Sequence, residues 1–388
     1  MKQEQRIFLN LIHSGLSGEK AEVPTDFDWK NVLLLAKKHN LLTVIYYGVK
    51  NSELNAPSEI AAELDRAIYQ NTVIDCNQMY EAQALAKMLR EEGVDFSLLK
   101  GLHIKKYFPQ SVMRSMSDLD ILIRTEQLER VTELIKPRGY KFETETDHVS
   151  EWAKGNYIHL ELHKRLVPQN QPFGEYYEDS WRFFKPVEEG SNEYEMSPSD
   201  EYIFLFLHFA KHYISGGVGI RQMLDLWVFS SNDIDFSYVK QQLETLGLAE
   251  FWENIRATLD CWMNGADSTE KTDFITDFIF SSGVFGNRHN YLIANAVKTN
   301  EKPEKAGKRR IFELFILPYS GMCIKYPVLK KYPALLPIYW VKRLVTALLF
   351  KRKKGIIHLK EFSKMDGEEI RAAKADFNYV GLDFNFKE

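Results

Sequence analysis

Ser117-Asp118-Leu119-Asp120-Ile121-Leu122-Ile123 is the stretch on which the reading of this chain turns. Its apolar end predicts a strand, and side chains on a strand alternate in direction. Asp118 and Asp120 therefore share one face, while Leu119, Ile121 and Ile123 point into a core. Two carboxylates held side by side repel, and one is driven neutral unless a cation lies between them. Oxygen-rich pairs of this kind suit Mg²⁺, which takes one or two carboxylates together with substrate phosphates.

Outward from this strand, Val94 to Leu99 reads as an earlier strand that meets Lys100-Gly101 at the start of a short helix, LHIKKYF. Such a junction offers backbone N–H groups to phosphate oxygens. Downstream, Thr125 to Lys136 has helical spacing, with Thr125 as its expected cap and Pro137-Arg138-Gly139 as its end. Tyr140 to Thr144 is a strand candidate. Ile158-His159-Leu160-Glu161-Leu162-His163 is a period-two strand on which Glu161 projects opposite to its flanking leucines. A third acid on a neighbouring strand would complete a carboxylate cluster able to hold two metals.

Strands and helices alternate between about residues 93 and 188, and helices lie on both sides. Asp26 or Asp28 is expected to cap a helix through WKNVLLLAKKHN, and residues 59–91 form a long helical pattern that should stop at Glu92-Gly93. From Ser197-Pro198 onward, YIFLFLHFAKHYI, RQMLDLWVFS, VKQQLETLGL and FWENIRATLDCWM all read as helices. The fold class is therefore α+β: an N-terminal helical region (1–92), a core (93–188) and a C-terminal helical domain (189–388). The tail from Phe377 to Phe386 reads as a strand or ordered coil.

The run LLKG, a helix, R-S-M-S-D-L-D-I-L-I, a helix ending in R-G-Y, then H-L-E-L-H resembles the DNA polymerase β-like nucleotidyltransferase superfamily. More narrowly, it is similar to a bacterial family known only as uncharacterised nucleotidyltransferases. The resemblance covers about residues 95–165 and extends more loosely into the flanking helices. It implies a polymerase β-like core, a small mixed sheet with helices. It makes Gly101 the phosphate-turn glycine, Asp118 and Asp120 the metal carboxylates, and Glu161 the third carboxylate. Lys100, Arg114 and Ser117 join Gly101 in nucleotide binding, with Lys100 or Arg114 neutralising phosphate. Where the superfamily usually places Gly-Ser or Gly-Gly, this chain has Gly101-Leu102, so a serine contact to phosphate is missing.

The implied reaction moves a nucleoside monophosphate from a nucleoside triphosphate to an unknown acceptor, with Mg²⁺ or Mn²⁺ and release of pyrophosphate. A small acceptor is favoured over nucleic acid or a membrane. The alternatives are a catalytically weak nucleotide-binding protein of the same fold, and an antitoxin-like or membrane-peripheral regulator.

His159, Glu161 and His163 share a strand face and suit zinc less than the adjacent D-x-D suits magnesium. His208 and His212 stand one helical turn apart and, with His163, are expected to line the cleft. Gly216 to Gly219 follows a helix and reads as a hinge or loop. Asp225 is left open between facing the cleft and completing a polar network.

Composition fits this reading. The chain has 388 residues, 45% hydrophobic and 27% charged, with a formal charge of −4, so its average surface is not that of a general nucleic-acid binder. Its three cysteines are scattered and form no C-x-x-C pair, which excludes a cysteine zinc ribbon and a disulfide framework. The first twenty residues carry acids beside bases and no apolar stretch, so no signal peptide is read and a cytoplasmic location is expected. Charge is unevenly spread: Lys302 to Lys354 carries fourteen Lys/Arg against Glu304 and Glu313, a net +12 that leaves −16 for the rest. Within it, Ala334 to Phe350 is the most apolar stretch, but Pro337 and Lys342-Arg343 interrupt it, so it is expected to be a core helix rather than a membrane span.

Overall fold

The computed structural model describes residues 1–169, 171–283, 319, 322, 326, 328–350 and 367–382. The chain divides into two compact units, one made of Met1–Tyr213, Gly217–Phe285 and Val380–Glu388, the other of Ile214–Gly216 and Gly286–Tyr379.

The first unit opens with helices α1 (Gln3–Ser17), α2 (Trp29–His39), α3 (Leu42–Asn51) and α4 (Ser58–Glu91). Asp28 caps α2, accepting from the backbone N–H groups of Lys30 and Asn31. Helices α1 and α3 touch backbone to backbone. A Cβ at Gly48 would lie 2.0 Å from the Leu11 carbonyl oxygen, and one at Gly15 2.4 Å from that of Val44. Helix α4 runs for 34 residues, about 50 Å at the α-helical rise, and its C-terminal half buries Ala82, Leu85, Ala86, Met88 and Leu89.

Next come β1 (Phe96–Leu98), the short α5 (Lys100–Ile104), β2 (Asp118–Ile123), α6 (Leu128–Ile135), β3 (Lys141–Glu145), β4 (Val149–Lys154) and β5 (Ile158–His163). The sheet order is β1-β2-β5-β4-β3. Strands β2 and β5 pair in parallel, and the remaining pairs are antiparallel. One sheet face carries Leu119, Ile121, Ile123, Leu160, Leu162 and Trp152, which join α4 and the Val131 and Ile135 side of α6 in a single core. The other face carries the acids. The period-two patterns around residues 118–123 and 158–163 thus sort core from site by parity alone.

The hairpin β6 (Phe184–Pro186) and β7 (Tyr194–Met196) leads into α7 (Pro198–Ile214), α8 (Ile220–Phe229), α9 (Phe236–Thr245), α10 (Ala249–Met263) and α11 (Glu270–Ser282). The α+β class and the flanking helices therefore stand as read from the sequence.

Several local expectations are corrected. Thr125 does not cap the helix after β2; it starts a 3₁₀ turn, Thr125–Gln127, with no side-chain cap bond, and α6 follows. Strand β4 and the β6–β7 hairpin were not foreseen. The tail from Phe377 is not a strand: Phe377 to Tyr379 close a helix, Gly367–Tyr379, and residues 383–386 lie outside the described residues.

In the second unit, Leu336–Phe350 is a helix. Leu336, Tyr339 and Trp340 pack on Met322 and Leu329, whereas Ile338 and Val341 are about 60% exposed, so its first turns are not a core helix. Most of the basic segment 302–354, including residues 351–354, lies outside the described residues. Among those described, no helix is long and apolar enough to cross a membrane.

His39 ties α2 to two distant helices. Its Nδ1 accepts from the Ile220 backbone N–H at 3.3 Å, so the proton sits on Nε2, which faces the Phe280 carbonyl at 3.4 Å. Burial, reinforced by Lys38, pushes the ring down to about 4 from its ordinary 6.5. The unfolded chain takes up this proton near pH 6.5 and the folded chain only near pH 4, so stability falls as pH drops through that window. The loss attributable to His39 should reach about 3 kcal/mol by pH 4. Urea denaturation across pH 4–7 should show a shallower slope in His39→Gln than in the wild type.

Candidate active site

The parallel β2–β5 register sets Asp118 beside His159, Asp120 beside Glu161 and Leu122 beside His163. The antiparallel neighbour β4 adds Glu151 beside Glu161. Acids from three strands thus face one side of the sheet, and Glu151 is a member that the sequence reading missed. Burial and the nearby Glu161 push the Glu151 carboxyl above its usual range.

Two nitrogen donors hold the centre of this cluster. The Lys100 ammonium donates to Asp120 Oδ1 at 2.6 Å, and His163 Nε2 lies 2.9 Å from the same oxygen and 3.1 Å from Glu161 Oε2. Asp120 is buried, and burial alone would raise its pKa, but Lys100 and His163 outweigh that and hold it well below the usual carboxylate range. Burial likewise opposes the Lys100 charge, yet Asp120, Glu161 and Asp118 together raise its pKa. Asp118 is half-buried and accepts from the Ser117 hydroxyl; burial, with Glu161 and Asp120 adding to it, pushes it upward.

Lys100 reaches Asp120 from the strand–helix junction between β1 and α5. Its φ is +47°, a left-handed conformation that costs a non-glycine residue about 1–2 kcal/mol. Gly101 follows in the first turn of α5. A Cβ there would lie 3.0 Å from Met116 Cβ and 3.2 Å from the Arg114 guanidinium, so the glycine makes room for Arg114.

Arg114 is itself fully engaged with Asp225. Nε and Nη2 donate to the two carboxylate oxygens at 2.9 and 2.8 Å, and Nη1 donates to the Ser115 carbonyl. Both partners are buried. This settles Asp225 as the carboxylate of a buried ion pair, and it leaves Arg114 as a charge already compensated by the protein. Arg221, also missed in the sequence, donates to the same Ser115 carbonyl at 3.0 Å.

A cavity of about 360 Å³ brings these groups together. Lys100, Gly101, Arg114, Ser117, Asp118, Asp120, Glu161, His208 and His212 all line it. His163 lines an adjoining cavity of about 150 Å³ that shares Lys100, Glu161 and His208 with the first. On α7, His208 and His212 stand Nε2 to Nε2 at 3.1 Å. Burial lowers both, His212 to about 4, so the pair is neutral near pH 7 and one ring donates to the other. His159 is exposed and lies 3.8 Å from Glu143, away from this centre.

The groups able to hold a metal ion among the described residues are Asp120, Glu161 and His163, whose ligand atoms all lie within 4.8 Å of one another. The chemistry is that of anionic oxygens converging with nitrogen donors between them, at the mouth of a cavity lined by further cations.

The model of the uncharacterised nucleotidyltransferase family matches residues 25–264. The chain belongs to that family. No curated protein and no solved structure matches it. The match spans every residue lining the larger cavity, so the nucleotidyltransferase region includes α7 and α8 as well as the sheet. Nucleotidyl transfer is the chemistry that the family's description names.

The Arg114–Asp225 pair gives a stability prediction within this nucleotidyltransferase region. Removing one partner strands a buried charge, so Asp225→Ala should cost about 3–5 kcal/mol in equilibrium urea unfolding. The double replacement Arg114→Met with Asp225→Leu should recover most of that loss.

Proposed function

We propose that the protein is a polymerase β-like nucleotidyltransferase that moves a nucleoside monophosphate from a nucleoside triphosphate to a small acceptor and releases pyrophosphate. The observation that carries this reading is the pairing of Asp120 with Glu161 across parallel strands, with Asp118 on the same face. In this reading residues 93–188 carry the reacting groups, residues 1–92 brace the sheet through α4, and the domain at 189–388 supplies α7 and α8.

The residues fit a hard divalent cation. The donor set is rich in carboxylate oxygens: Lys100 donates to Asp120, and His163 Nε2 lies between Asp120 and Glu161, within hydrogen-bond reach of both. Asp118, Asp120 and Glu161 would hold Mg²⁺ or Mn²⁺, with Asp118 joining the Asp120–Glu161–His163 group from the same sheet face. When bound, the metal supplies charge neutralisation to the phosphates and to the leaving pyrophosphate.

The remaining work falls to the chain. Lys100 and Ser117 stand at the cavity edge to bind phosphate oxygens, and Gly101 keeps the backbone clear for Arg114 behind them. Glu161 borders both cavities, so an acceptor entering the smaller one meets a carboxylate able to take its hydroxyl proton. The walls of that smaller cavity, including Leu166, Val167, Phe173, Phe204 and Leu207, enclose a space suited to a small molecule rather than to a polymer.

Incubation with each α-labelled triphosphate and Mg²⁺ or Mn²⁺ should place label on a component of a small-molecule extract, with matching pyrophosphate release. Label on RNA or protein would replace the small acceptor, and absence of any release would overturn the reading. Glu161→Gln should lower the rate by about a hundredfold or more with nucleotide affinity little changed. Metal plus triphosphate should stabilise the wild type by about 2.7 kcal/mol at a hundred times the dissociation constant. The double change Asp118→Asn with Asp120→Asn should abolish that shift, as read by thermal unfolding.

A further inference from the structure

Two polar groups at the start of α8 are left unpartnered in the larger cavity. Arg221 Nε is buried without a hydrogen-bond partner, and so is Oε1 of the next residue, Gln222. Both residues line the cavity.

The surrounding charges make Arg221 the anomaly. Lys100 is committed to Asp120, and Arg114 to Asp225. Arg221 has instead a share of the Ser115 carbonyl, to which Arg114 also donates. Two guanidinium groups therefore converge on one neutral oxygen. Burial, with Arg114 adding repulsion, lowers Arg221 to about 10 against the opposing pull of Asp225 and Asp118, which still leaves it charged near neutral pH. A desolvated cation beside a like charge is costly, and an incoming anion removes that cost. The fork of Nε and Nη donors matches two phosphate oxygens, and its buried Nε is one of the two donors needed.

We infer that Arg221 is a further residue that binds the phosphate chain of the nucleoside triphosphate, beside Lys100 and Ser117, with Gln222 accepting a hydrogen bond from a hydroxyl or amino group of the same ligand. This deepens the reading above and rests on it for the identity of the ligand. It assigns phosphate recognition to α8, outside the strand pair that carries the acids. It also gives Arg114 a different task. Locked to Asp225, Arg114 shares the Ser115 carbonyl with Arg221 and so helps to position that guanidinium.

The test is calorimetric binding of pyrophosphate, of a nucleoside triphosphate and of the matching nucleoside, all with Mg²⁺, to wild type, Arg221→Gln and Arg221→Lys. Arg221→Gln should weaken pyrophosphate and triphosphate by roughly ten- to a hundredfold and leave nucleoside binding unchanged. Arg221→Lys should recover part of the loss, since charge returns without the fork. The unliganded Arg221→Gln protein should melt at or above the wild-type temperature, because a buried charge crowded by Arg114 has gone, while its stabilisation by triphosphate shrinks. In turnover, the Michaelis constant for triphosphate should rise more than the rate constant falls.

Equal phosphate affinity in Arg221→Gln and wild type would overturn the inference and leave nucleotidyl transfer standing. Loss of fold in Arg221→Gln together with full affinity in Arg221→Lys would also overturn it, since neither the fork nor its geometry would then matter. Arg221-dependent pyrophosphate binding without any triphosphate binding would support the inference as a phosphate site and overturn the transfer reading. A wild type that binds neither probe would overturn both.

Discussion

The parallel pairing of β2 with β5 is the constraint on which the site depends. It places Asp120 and Glu161 side by side on a sheet whose opposite face is solid hydrocarbon. The acids have no route into the core, and the sheet cannot slip by one residue without exchanging Leu119, Ile121, Leu160 and Leu162 for charges. Hydrophobic burial on one face thus fixes electrostatics on the other. The left-handed turn at Lys100 and the inward His163 follow as means of making that concentration of negative charge tolerable.

Charge around the larger cavity is arranged in two layers. At the acids, Lys100 donates to Asp120 and His163 Nε2 meets the same oxygen. Beside them, Arg114 and Asp225 form a closed unit that presents no net charge. Interior ion pairs seldom add stability over apolar packing, so this one is better understood through geometry than through energy. It joins the loop before β2 to helix α8 across 111 residues of sequence, and so fixes α8 against the sheet.

Much of this was legible in the sequence because it obeys short-range rules. The parity of DLDILI and IHLELH separated core from site, and the carboxylates, Lys100, Gly101 and the histidine pair on α7 came together in adjoining cavities. Strand β4 escaped notice because Val149-Ser150-Glu151-Trp152-Ala153-Lys154 puts polar residues on both faces, and its buried Trp152 bonds to Ser150 rather than standing in an apolar run. Thr125 is a capping residue by type, but a 3₁₀ turn absorbs the helix start there. Asp225 and Arg221 sit in RQMLDLW, an ordinary amphipathic helix by periodicity. Their roles exist only because residues 114 and 115 arrive from far away in the chain, and no local pattern encodes that meeting.

The five-stranded sheet has two edges that differ in their exposure to other chains. At β1 the Phe96 backbone N–H is already taken by the Asn192 carbonyl, and Phe96 bridges to Glu193, so that edge is closed by the chain itself. At β3 no strand among the described residues pairs with the outer edge, and the strand's residues are mostly exposed. The strand there reads Lys-Phe-Glu-Thr-Glu, with a register break between Phe142 and Thr144. A second molecule seeking to add a strand would have to accommodate both the alternating charges and the irregular spacing of hydrogen-bonding groups. The bulge that interrupts the hairpin therefore disfavours use of this border, unpaired among the described residues, as the template for an intermolecular sheet.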